Sequence, residues 1–342
     1  MTKISIILPC YNEAGHIRSS IENLEGQTFE DRELIIINDG SDDDTLRIAR
    51  SLINEKHYHD IRLLEALHHL GPTRARNLGL KESQGEVIFF AECDCTYEPH
   101  YIEKALGALE ASPQAGAVCL TGAPMKTRST VATESIVIEN KAQHLLLEKG
   151  KMKPFYAWVF RREVVLALDG FDEKLFQAED RDLFRRFIQA GYKVAWVPGT
   201  HWWHKRDQTL TDLAGKWIAR GQTRVAYVLK HRLAFDMLKT LAPFWIFVVG
   251  IVLLFVQPFV GILSVLGVLM AVVVRSLRTI LTTWNAVEQK RWFLTYPLFV
   301  LVRNFSLAIG YSLGLVRIPF QHRSPERIAD FKTHELFVES KN

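Results

Sequence analysis

Hydropathy changes abruptly near residue 240, and this change limits the folds open to the 342-residue chain. The first two thirds are polar with mixed charge, whereas Leu241 to Val274 carries no charge and is interrupted by Gln257-Pro258. A bilayer core needs roughly 20 apolar residues per helix, so this run predicts two spans joined by a tight turn. The mean hydropathy of +0.02 and the net charge of +4 conceal this partition. The sequence therefore predicts a soluble domain fused to a membrane anchor.

A third apolar segment, Phe293 to Val316, leaves the membrane topology open. It carries Arg303 and several glycines, so a span, a re-entrant piece and an interfacial helix all fit, and its length favours the span. Basic residues flank both ends of the first two segments, which predicts that the polar domain is cytoplasmic in a multi-pass cell-membrane protein. If the third segment also spans, the basic tail after it lies outside the cytoplasm, which conflicts with the rule that basic residues stay on the cytoplasmic side. These flanking residues are Lys230, His231, Arg232, Lys239, Arg275, Arg278, Lys290 and Arg291.

The polar part alternates apolar runs with helix-like stretches. The apolar runs cover 4–8, 33–38 and 87–91, and the helix-like stretches after them cover 14–24, 45–54 and 99–111. Continuously apolar strands separated by helices indicate a mostly parallel sheet covered on both faces, which is an α/β sandwich. The apolar stretch of Met1 to Pro9 is too short for the core of a signal peptide and is predicted to form the first strand.

Unusual polar residues follow three of these strands, at the edge where ligands bind in parallel sheets. Helix capping accounts for part of the segment after Asn38, but not for Asp39, whose carboxylate suits a base imide or a ribose hydroxyl. Gly71 to Gly79 places Arg74 and Arg76 near a helix start, where free amides favour a diphosphate. The alternative for that segment is a solvated basic turn.

Two acidic centres complete the pattern. Glu92-Cys93-Asp94 ends a strand, so we expect both carboxylates on one face, where hard oxygen donors suit Mg²⁺ or Mn²⁺. Glu179-Asp180 opens a helix-like run and could take a proton while the first centre holds a cation. His204 could complete the metal shell, or it could belong to an interfacial aromatic cluster with its neighbours. The four cysteines are predicted to be reduced, with Cys93 and Cys95 as small buried residues.

Five motifs in order resemble the family 2 glycosyltransferases of the GT-A fold over roughly residues 3 to 205. They are Pro9-x-Tyr11-Asn12-Glu13, Asn38-Asp39-Gly40-Ser41-x-Asp43-x-Thr45, Gly71-x-x-x-Ala75-Arg76-Asn77-x-Gly79, the acid-x-acid triplet, and Gly170-Phe171-Asp172 followed by Glu179-Asp180. The resemblance implies a nucleotide-sugar-binding GT-A sandwich that transfers a sugar from a nucleotide diphosphate sugar with inversion. It favours a UDP-sugar, and a GDP-sugar is possible.

The resemblance also implies roles for individual residues. Asp180 matches the general base, with Glu179 beside it, and Asp94 matches the ligand of a Mn²⁺ or Mg²⁺ cofactor, with His204 as a second candidate ligand. The family usually has Asp at Glu92 and often a third acid at Cys95. The residues implied in nucleotide binding are Pro9, Tyr11, Glu13, Asp39, Arg76 and Glu92.

The anchor predicts an acceptor at the membrane, such as polyprenyl phosphate or a lipid-linked glycan, and no nucleic-acid partner is expected. We predict a catalytic domain over 1–209, an amphipathic interfacial connector over 210–239, two or three transmembrane helices over 240–316 and a polar tail over 317–342. A catalytically impaired scaffold is the alternative, motivated by Glu92 and Cys95. A dehydrogenase and a nucleotidyltransferase are disfavoured because their glycine-rich phosphate loops are missing after the first strand. A processive synthase is disfavoured because its Gln-x-x-Arg-Trp sequence is missing.

Overall fold

The computed structural model describes residues 4–56, 60–120, 123–124, 129–149, 158–175, 178–198, 202–204, 209–321 and 337–339. The chain divides into two compact units. The first, called the sheet unit, comprises Met1–Met125, Lys153–Arg206 and Glu326–Asn342. The second, called the helical unit, comprises Lys126–Met152 and Asp207–Pro325.

The sheet unit alternates strands and helices as the sequence predicts. Its strands are β1 (Ile4–Cys10), β2 (Arg32–Asn38), β3 (Ile61–Ala66), β4 (Val87–Phe90), β5 (Cys95–Tyr97), β6 (Ala115–Leu120), β7 (Ala123–Pro124), β8 (Val159–Arg161), β9 (Lys193–Val197), β10 (Trp202–His204) and β11 (Phe337–Glu339). Its helices are α1 (Ile17–Glu25), α2 (Thr45–Lys56), α3 (Pro72–Glu82), α4 (Tyr101–Ala111), α6 (Arg162–Ala167) and α7 (Glu179–Gln189). Helix α5 (Val131–Glu148) lies in the helical unit.

The main sheet has the strand order β11-β3-β2-β1-β4-β8-β6-β9. The β3-β2-β1-β4 core is parallel, as is the β6-β9 pair, whereas β8 runs antiparallel to both its neighbours and β11 antiparallel to β3. The prediction of a mostly parallel α/β sheet is confirmed. The antiparallel β8 was not predicted, because a strand of three residues carries little pattern of its own.

The central strands β1, β2 and β4 are buried on both faces, which explains why they are continuously apolar. Alternate residues of β1 enter two separate cores, with Ile6 and Leu8 on one side and Ile7 on the other. On the Ile7 side, a Cβ at Gly79 of α3 would lie 2.4 Å from the Ile7 side chain. Helix α3 therefore packs closely on β1, and this fixes where its first turn meets the ends of the strands.

A small second sheet lies beside the carboxyl end of β4. It has the order β5-β10-β7, and β10 runs antiparallel to β5 with His204 opposite Cys95. The last strand before this sheet's β10 is β9, and α1 begins at Ile17 rather than at the predicted Ala14. The first loop is longer than predicted because its backbone amides bond to the loop after β2.

The helical unit contains α5, α8 (Leu210–Lys230), α9 (Ala234–Leu253), α10 (Pro258–Thr283) and α11 (Trp292–Gln321). The helices Ala234–Leu253, Pro258–Thr283 and Trp292–Val316 are long and apolar enough to cross a membrane. The gap between α9 and α10 contains Gln257, in agreement with the predicted turn at Gln257-Pro258. Helix α9 begins at Ala234, before the start at 240 that we predict for the transmembrane region. The predicted catalytic domain over 1–209 includes α5, whereas the apolar face of α5 packs with that of α8, α10 and α11.

Candidate active site

The first two predicted loops are bonded to each other. The Glu13 amide donates to Thr45 Oγ1 at 2.7 Å and the Asn12 amide to Ser41 Oγ at 3.0 Å. The Asn12 side chain accepts from the Asp42 amide at 3.0 Å. These motif residues hold the rim of the site in place, which explains their residue types without contact to a ligand. Pro9 lies within β1, and the Glu13 carboxylate contacts His16 Nδ1 at 2.8 Å.

Asp39 is buried at the carboxyl end of β2, and its two oxygens accept from different amides. Oδ1 accepts from the Leu70 amide at 2.7 Å and Oδ2 from the Gly71 amide at 2.9 Å, while His69 Nδ1 lies 3.0 Å from Oδ2. Burial raises the pKa of Asp39, although these hydrogen bonds and His69 lower it. Asp39 therefore ties β2 to the start of α3, and Oδ1, which accepts from one amide, keeps a further lone pair for a ligand.

An aromatic pair stands beside Asp39. The Tyr11 ring stacks on the His69 ring with 3.8 Å between centroids, and Tyr11 is 40% exposed. A flat base could stack on such a surface. Sequence reasoning missed His69, for which the only signal was its position just before Gly71.

The acidic turn after β4 brings three ligand atoms together. One atom each from Glu92, Asp94 and Cys95 lies within 4.8 Å of the others. The expectation that Glu92 and Asp94 share a strand face is wrong, because β4 ends at Phe90 and residues 93–94 form a turn. The turn places the Cys95 thiol next to the acids, with Sγ 3.5 Å from Glu92 Oε2.

Neighbouring charges affect the protonation of this turn. Burial raises the pKa of Glu92 to about 7, although 31% of the side chain is exposed; Arg76 opposes this rise, and Asp94 and Asp180 add to it. Burial, followed by the charges of Glu92 and Asp94, raises the pKa of the Cys95 thiol. Cys95 is therefore a neutral hydrogen-bond donor to Glu92 here.

Arg76 connects the two acidic centres. Its Nη1 donates to Glu179 Oε1 at 2.6 Å, and its Nη2 lies 3.9 Å from Glu92 Oε1. The guanidinium lies over the rings of Trp158 at 5.2 Å and Phe171 at 5.6 Å. Arg76 is only 6% exposed, and its buried Nε has no hydrogen-bond partner. In this structure the guanidinium that we expected to bind diphosphate is engaged chiefly by Glu179.

Helix α7 begins with both predicted catalytic acids. Ala178, which precedes it, adopts a left-handed conformation with φ 65°, which turns the chain sharply before Glu179. Burial raises the pKa of Glu179, Arg76 lowers it, and Asp180 raises it again. Asp180 is partly exposed, and its charge is close enough to raise the pKa of Glu92. A carboxylate there could accept a proton beside the acidic turn.

The Gly170-Phe171 motif anchors the same corner. The Asn77 side chain donates to the Phe171 carbonyl and accepts from the Phe171 amide, each at 2.9 Å. Gly170 has φ +60°, and a Cβ there would lie 2.7 Å from Asn77 Oδ1. This motif therefore fixes the Phe171 ring beneath Arg76, and sequence reasoning had not assigned it that purpose.

The structure thus brings Arg76, Glu92, Asp94 and Glu179 together, with Asp180 close by. Strand pairing places His204 opposite Cys95 in register, but its side chain lies outside the described residues, so its role as a ligand remains a prediction. The aromatic ring of Trp158, which contacts Arg76, was missed because nothing in its local sequence marks it.

Comparison with known proteins identifies a domain in the first half of the chain. Residues 5–168 match the family model described as Glycosyl transferase family 2. The chain carries a family 2 glycosyltransferase domain. The match covers β1 through α6, including the acidic turn and Arg76, whereas α7 lies beyond it.

The four free cysteines are all buried, as expected for reduced thiols.

Several relatives carry glycosyltransferase names. The chain is 26% identical over 274 residues to a probable glycosyltransferase, YdaM, of Bacillus subtilis (strain 168), covering 74% of this chain and 65% of the relative. It is 30% identical over 205 residues to the O-antigen chain rhamnosyltransferase RfbN of Salmonella typhimurium, covering 57% of this chain and 63% of the relative. The chain thus spans less than two thirds of the length of either.

A solved structure supports the GT-A fold. The mannosyltransferase PcManGT from Pyrobaculum calidifontis, in complex with GDP-Man and Mn²⁺, aligns with a TM-score of 0.59 and 17% identity. The alignment covers 91% of this chain and 87% of that one. The likeness confirms the predicted fold class, a GT-A α/β domain followed by apolar helices.

Proposed function

We propose that this protein transfers a sugar from a nucleotide diphosphate sugar to a membrane-associated acceptor, with inversion at the anomeric carbon. One observation carries the proposal: Arg76 joins Glu179, at the start of α7, to Glu92, in the turn after β4. Two acidic centres far apart in sequence thereby meet at one edge of a family 2 domain. One suits a cation and the other a proton.

The acidic turn fits a hard divalent ion. Glu92 and Asp94 offer carboxylate oxygens, the ligands that Mg²⁺ and Mn²⁺ prefer, and the Cys95 thiol lies within the same 4.8 Å group. We assign Asp94 as the principal ligand, with His204 as a further candidate. A bound ion would neutralise charge on the departing diphosphate.

The chain's own residues account for the remaining chemistry. An acceptor oxygen, either a hydroxyl of a lipid-linked glycan or a phosphate oxygen of polyprenyl phosphate, attacks the anomeric carbon opposite the diphosphate and forms a new C–O bond as the bond to the diphosphate breaks. When the acceptor is a hydroxyl, Asp180 receives its proton as general base, and Glu179 holds Arg76 beside the site. When the donor binds, the Arg76 guanidinium gives up part of its contact with Glu179 and turns to the diphosphate. Its positive charge then stabilises the leaving group. Apart from the divalent ion, the transfer needs no group beyond these side chains and the two substrates.

The nucleoside binds at the rim, where its base stacks on Tyr11 and its polar edge or ribose reaches Asp39. Pro9 and Glu13 shape the first loop. We favour uridine, and guanosine is the second candidate, since PcManGT was solved with GDP-Man.

The acceptor follows from the anchor. With α9 and α10 crossing the bilayer and the catalytic domain in the cytoplasm, a lipid-linked acceptor such as polyprenyl phosphate would meet the enzyme at the membrane surface. A transferase with a soluble acceptor would have little need for an anchor.

Thermal stabilisation of the detergent-purified protein by UDP, GDP and their sugars, with and without Mn²⁺, tests the donor, since a ligand specific to the folded state raises its stability. Asp94→Ala should lose the Mn²⁺-dependent part of the shift, and Asp180→Asn should keep the shift but lose donor turnover. Asp44→Asn, a change at an exposed surface ion pair, is the matched control. Stabilisation without turnover in the wild type would favour the scaffold alternative, and turnover by Asp180→Asn would refute the assigned base.

A further inference from the structure

Helix α11 is apolar enough to cross a membrane, but both of its ends lie at the same end of the α9–α10 hairpin. The two hairpin helices are antiparallel, since Gly250 of α9 packs against Ser264 and Val265 of α10 while Gly261 packs near Leu254. The start of α9 and the end of α10 are therefore on one side of the bilayer, and the turn at Gln257 is on the other.

The beginning of α11 packs on the end of α10. The Phe293 ring stacks on Trp284 at 5.3 Å, and Phe293 and Tyr296 share a buried cluster with Ile280. This end of α11 thus lies at the open end of the hairpin, away from the turn at Gln257.

The later part of α11 returns to the start of α9. Leu307 and Tyr311 belong to a cluster with Leu233, Met237 and Leu241, at the start of α9. Between these ends, the Phe305 ring contacts Phe244 at 5.4 Å and Phe247 at 5.1 Å, just past the midpoint of α9. A helix that crossed beside the hairpin would have one of its ends at the turn at Gln257. Helix α11 instead runs from the end of α10 to the start of α9, which lie on the same side of the bilayer.

The middle of α11 carries a charge that a span would place near the bilayer centre. Arg303 forms an ion pair with Glu139 of α5, whose carboxylate also accepts from Tyr296 at 3.1 Å. The chain enters α5 from β7 and leaves it towards β8, so α5 is connected at both ends to strands of the GT-A domain. Charged pairs inside a membrane are rare and costly, whereas at the surface the same pair is ordinary.

Helix α8 runs alongside the second half of α11. A Cβ at Gly310 would lie 2.8 Å from the Gly221 Cα, and one at Gly314 would lie 2.7 Å from the Gln222 carbonyl, so the backbones nearly touch. The order of these contacts makes the two helices parallel. Because α8 carries four charged residues at every fourth position, it is unsuited to the bilayer interior. They are Asp212, Lys216, Arg220 and Arg224.

Chain connectivity agrees with this placement. Strand β11, which follows α11, pairs with β3 of the main sheet. Residues on both sides of the membrane helices therefore belong to one folded unit, and the chain between them must cross the bilayer an even number of times.

We propose that α11 lies along the cytoplasmic face of the membrane beside α8, and that only α9 and α10 cross. The partner of the α8–α11 pair is the bilayer surface. Exposed apolar residues at helical spacing form one stripe on α11 that enters the acyl boundary, and the basic residues of α8 face anionic headgroups. The stripe comprises Leu294, Leu298, Ile309, Leu313 and Val316.

Single cysteines introduced into the full-length protein test the topology, with the wild type as background because its own cysteines are buried. The positions are Lys230, Gln257, Glu288 and Lys341. Whole cells are treated with a membrane-impermeant maleimide before and after opening the membrane. We expect Gln257→Cys alone to react in closed cells and all four to react in opened cells.

Each alternative gives a different pattern. Reaction of both Gln257→Cys and Lys341→Cys in closed cells would mean that α11 crosses, which overturns the proposal. Reaction of Lys230→Cys and Glu288→Cys alone would mean that α8 and α11 both cross, which also overturns it. Reaction of every position except Gln257→Cys would overturn the cytoplasmic side. A carboxy-terminal epitope tag, read with antibody in closed and opened cells, reports the tail without changing a residue of the chain.

Discussion

Removing the Arg76 guanidinium should leave the largely buried carboxylate of Glu179 without a counter-charge. Arg76→Met keeps a long apolar side chain against Trp158 and Phe171 but leaves Glu179, 12% exposed, without the partner that is 2.6 Å away. Glu92 loses a weaker contact at 3.9 Å. The substitution therefore tests the ion pair more than the packing.

The expected cost is large. Breaking a buried pair by removing one partner costs roughly 3–5 kcal/mol, out of a total stability of about 5–15 kcal/mol. For a unit of this size roughly 2–4 °C of melting temperature corresponds to each kcal/mol, so we expect a loss of about 6–20 °C at pH 8.

The loss should depend on pH. Burial already raises the pKa of Glu179, and Arg76 opposes that rise, so the variant raises this pKa further. A carboxyl group whose folded pKa is raised destabilises the fold only above its unfolded pKa, because below it both states are protonated. The difference between wild type and Arg76→Met should therefore be largest at pH 8 and should shrink towards pH 5.

Thermal melts of the detergent-purified proteins at pH 8 and pH 5 measure this difference. The double variant Arg76→Met with Glu179→Gln is the matched control, since a neutral amide no longer needs a counter-charge and much of the stability should return. A loss at pH 8 below about 1 kcal/mol, the level of a surface pair, would refute the role given to Arg76. So would a double variant no more stable than Arg76→Met.

Three further predictions concern the rest of the molecule. Gly310→Leu should separate α8 from α11 and lower the melting temperature of the helical unit, whereas Gly215→Leu, with nothing within 4 Å of its Cβ position, should not. Equal effects would contradict the close packing. Gly40→Ala should destabilise the loop that follows Asp39 by more than about 1 kcal/mol, because φ of Gly40 is +67° and the new Cβ would lie 2.5 Å from the His68 backbone. The same variant should weaken the stabilisation by nucleotide. In EDTA, Glu92→Gln should raise the melting temperature at pH 8 and raise it progressively less towards pH 5. The pKa of Glu92 in the wild type is about 7, so the ionised carboxylate is unfavourable in the fold. The same change in melting temperature at every pH would contradict this.

Local pattern was enough to predict the parallel part of the sheet. Strands β1, β2 and β4 are buried on both faces, so each is continuously apolar and recognisable without knowledge of its neighbours. The loops that follow them were located for the same reason. The helix bounds were less accurate, because α1 starts only where the loop amides of Asn12 and Glu13 have found partners on the next loop.

The chemistry of the site depended on contacts that local pattern does not encode. Glu179 lies far from Arg76 in sequence, and only the meeting of α3 with α7 makes them partners. Trp158 has no neighbours in sequence that mark it, and His69 has only its position just before Gly71, although each contacts a predicted site residue. Glu92 and Asp94 were predicted on a strand face, but a turn at 93–94 brought the Cys95 thiol in with them.

The sequence by itself determined that the chain has a GT-A-like domain and apolar helices, because strand alternation, helix periodicity and hydropathy are properties of short segments. Tertiary structure decided what those segments do together. Composition gives α11 the length and hydropathy of a span, whereas its contacts with the ends of α9 and α10 and the Arg303 pair with Glu139 are the grounds on which we propose that it lies along the surface. The physical reason is that a helix responds to everything packed around it, and hydropathy records only the helix itself.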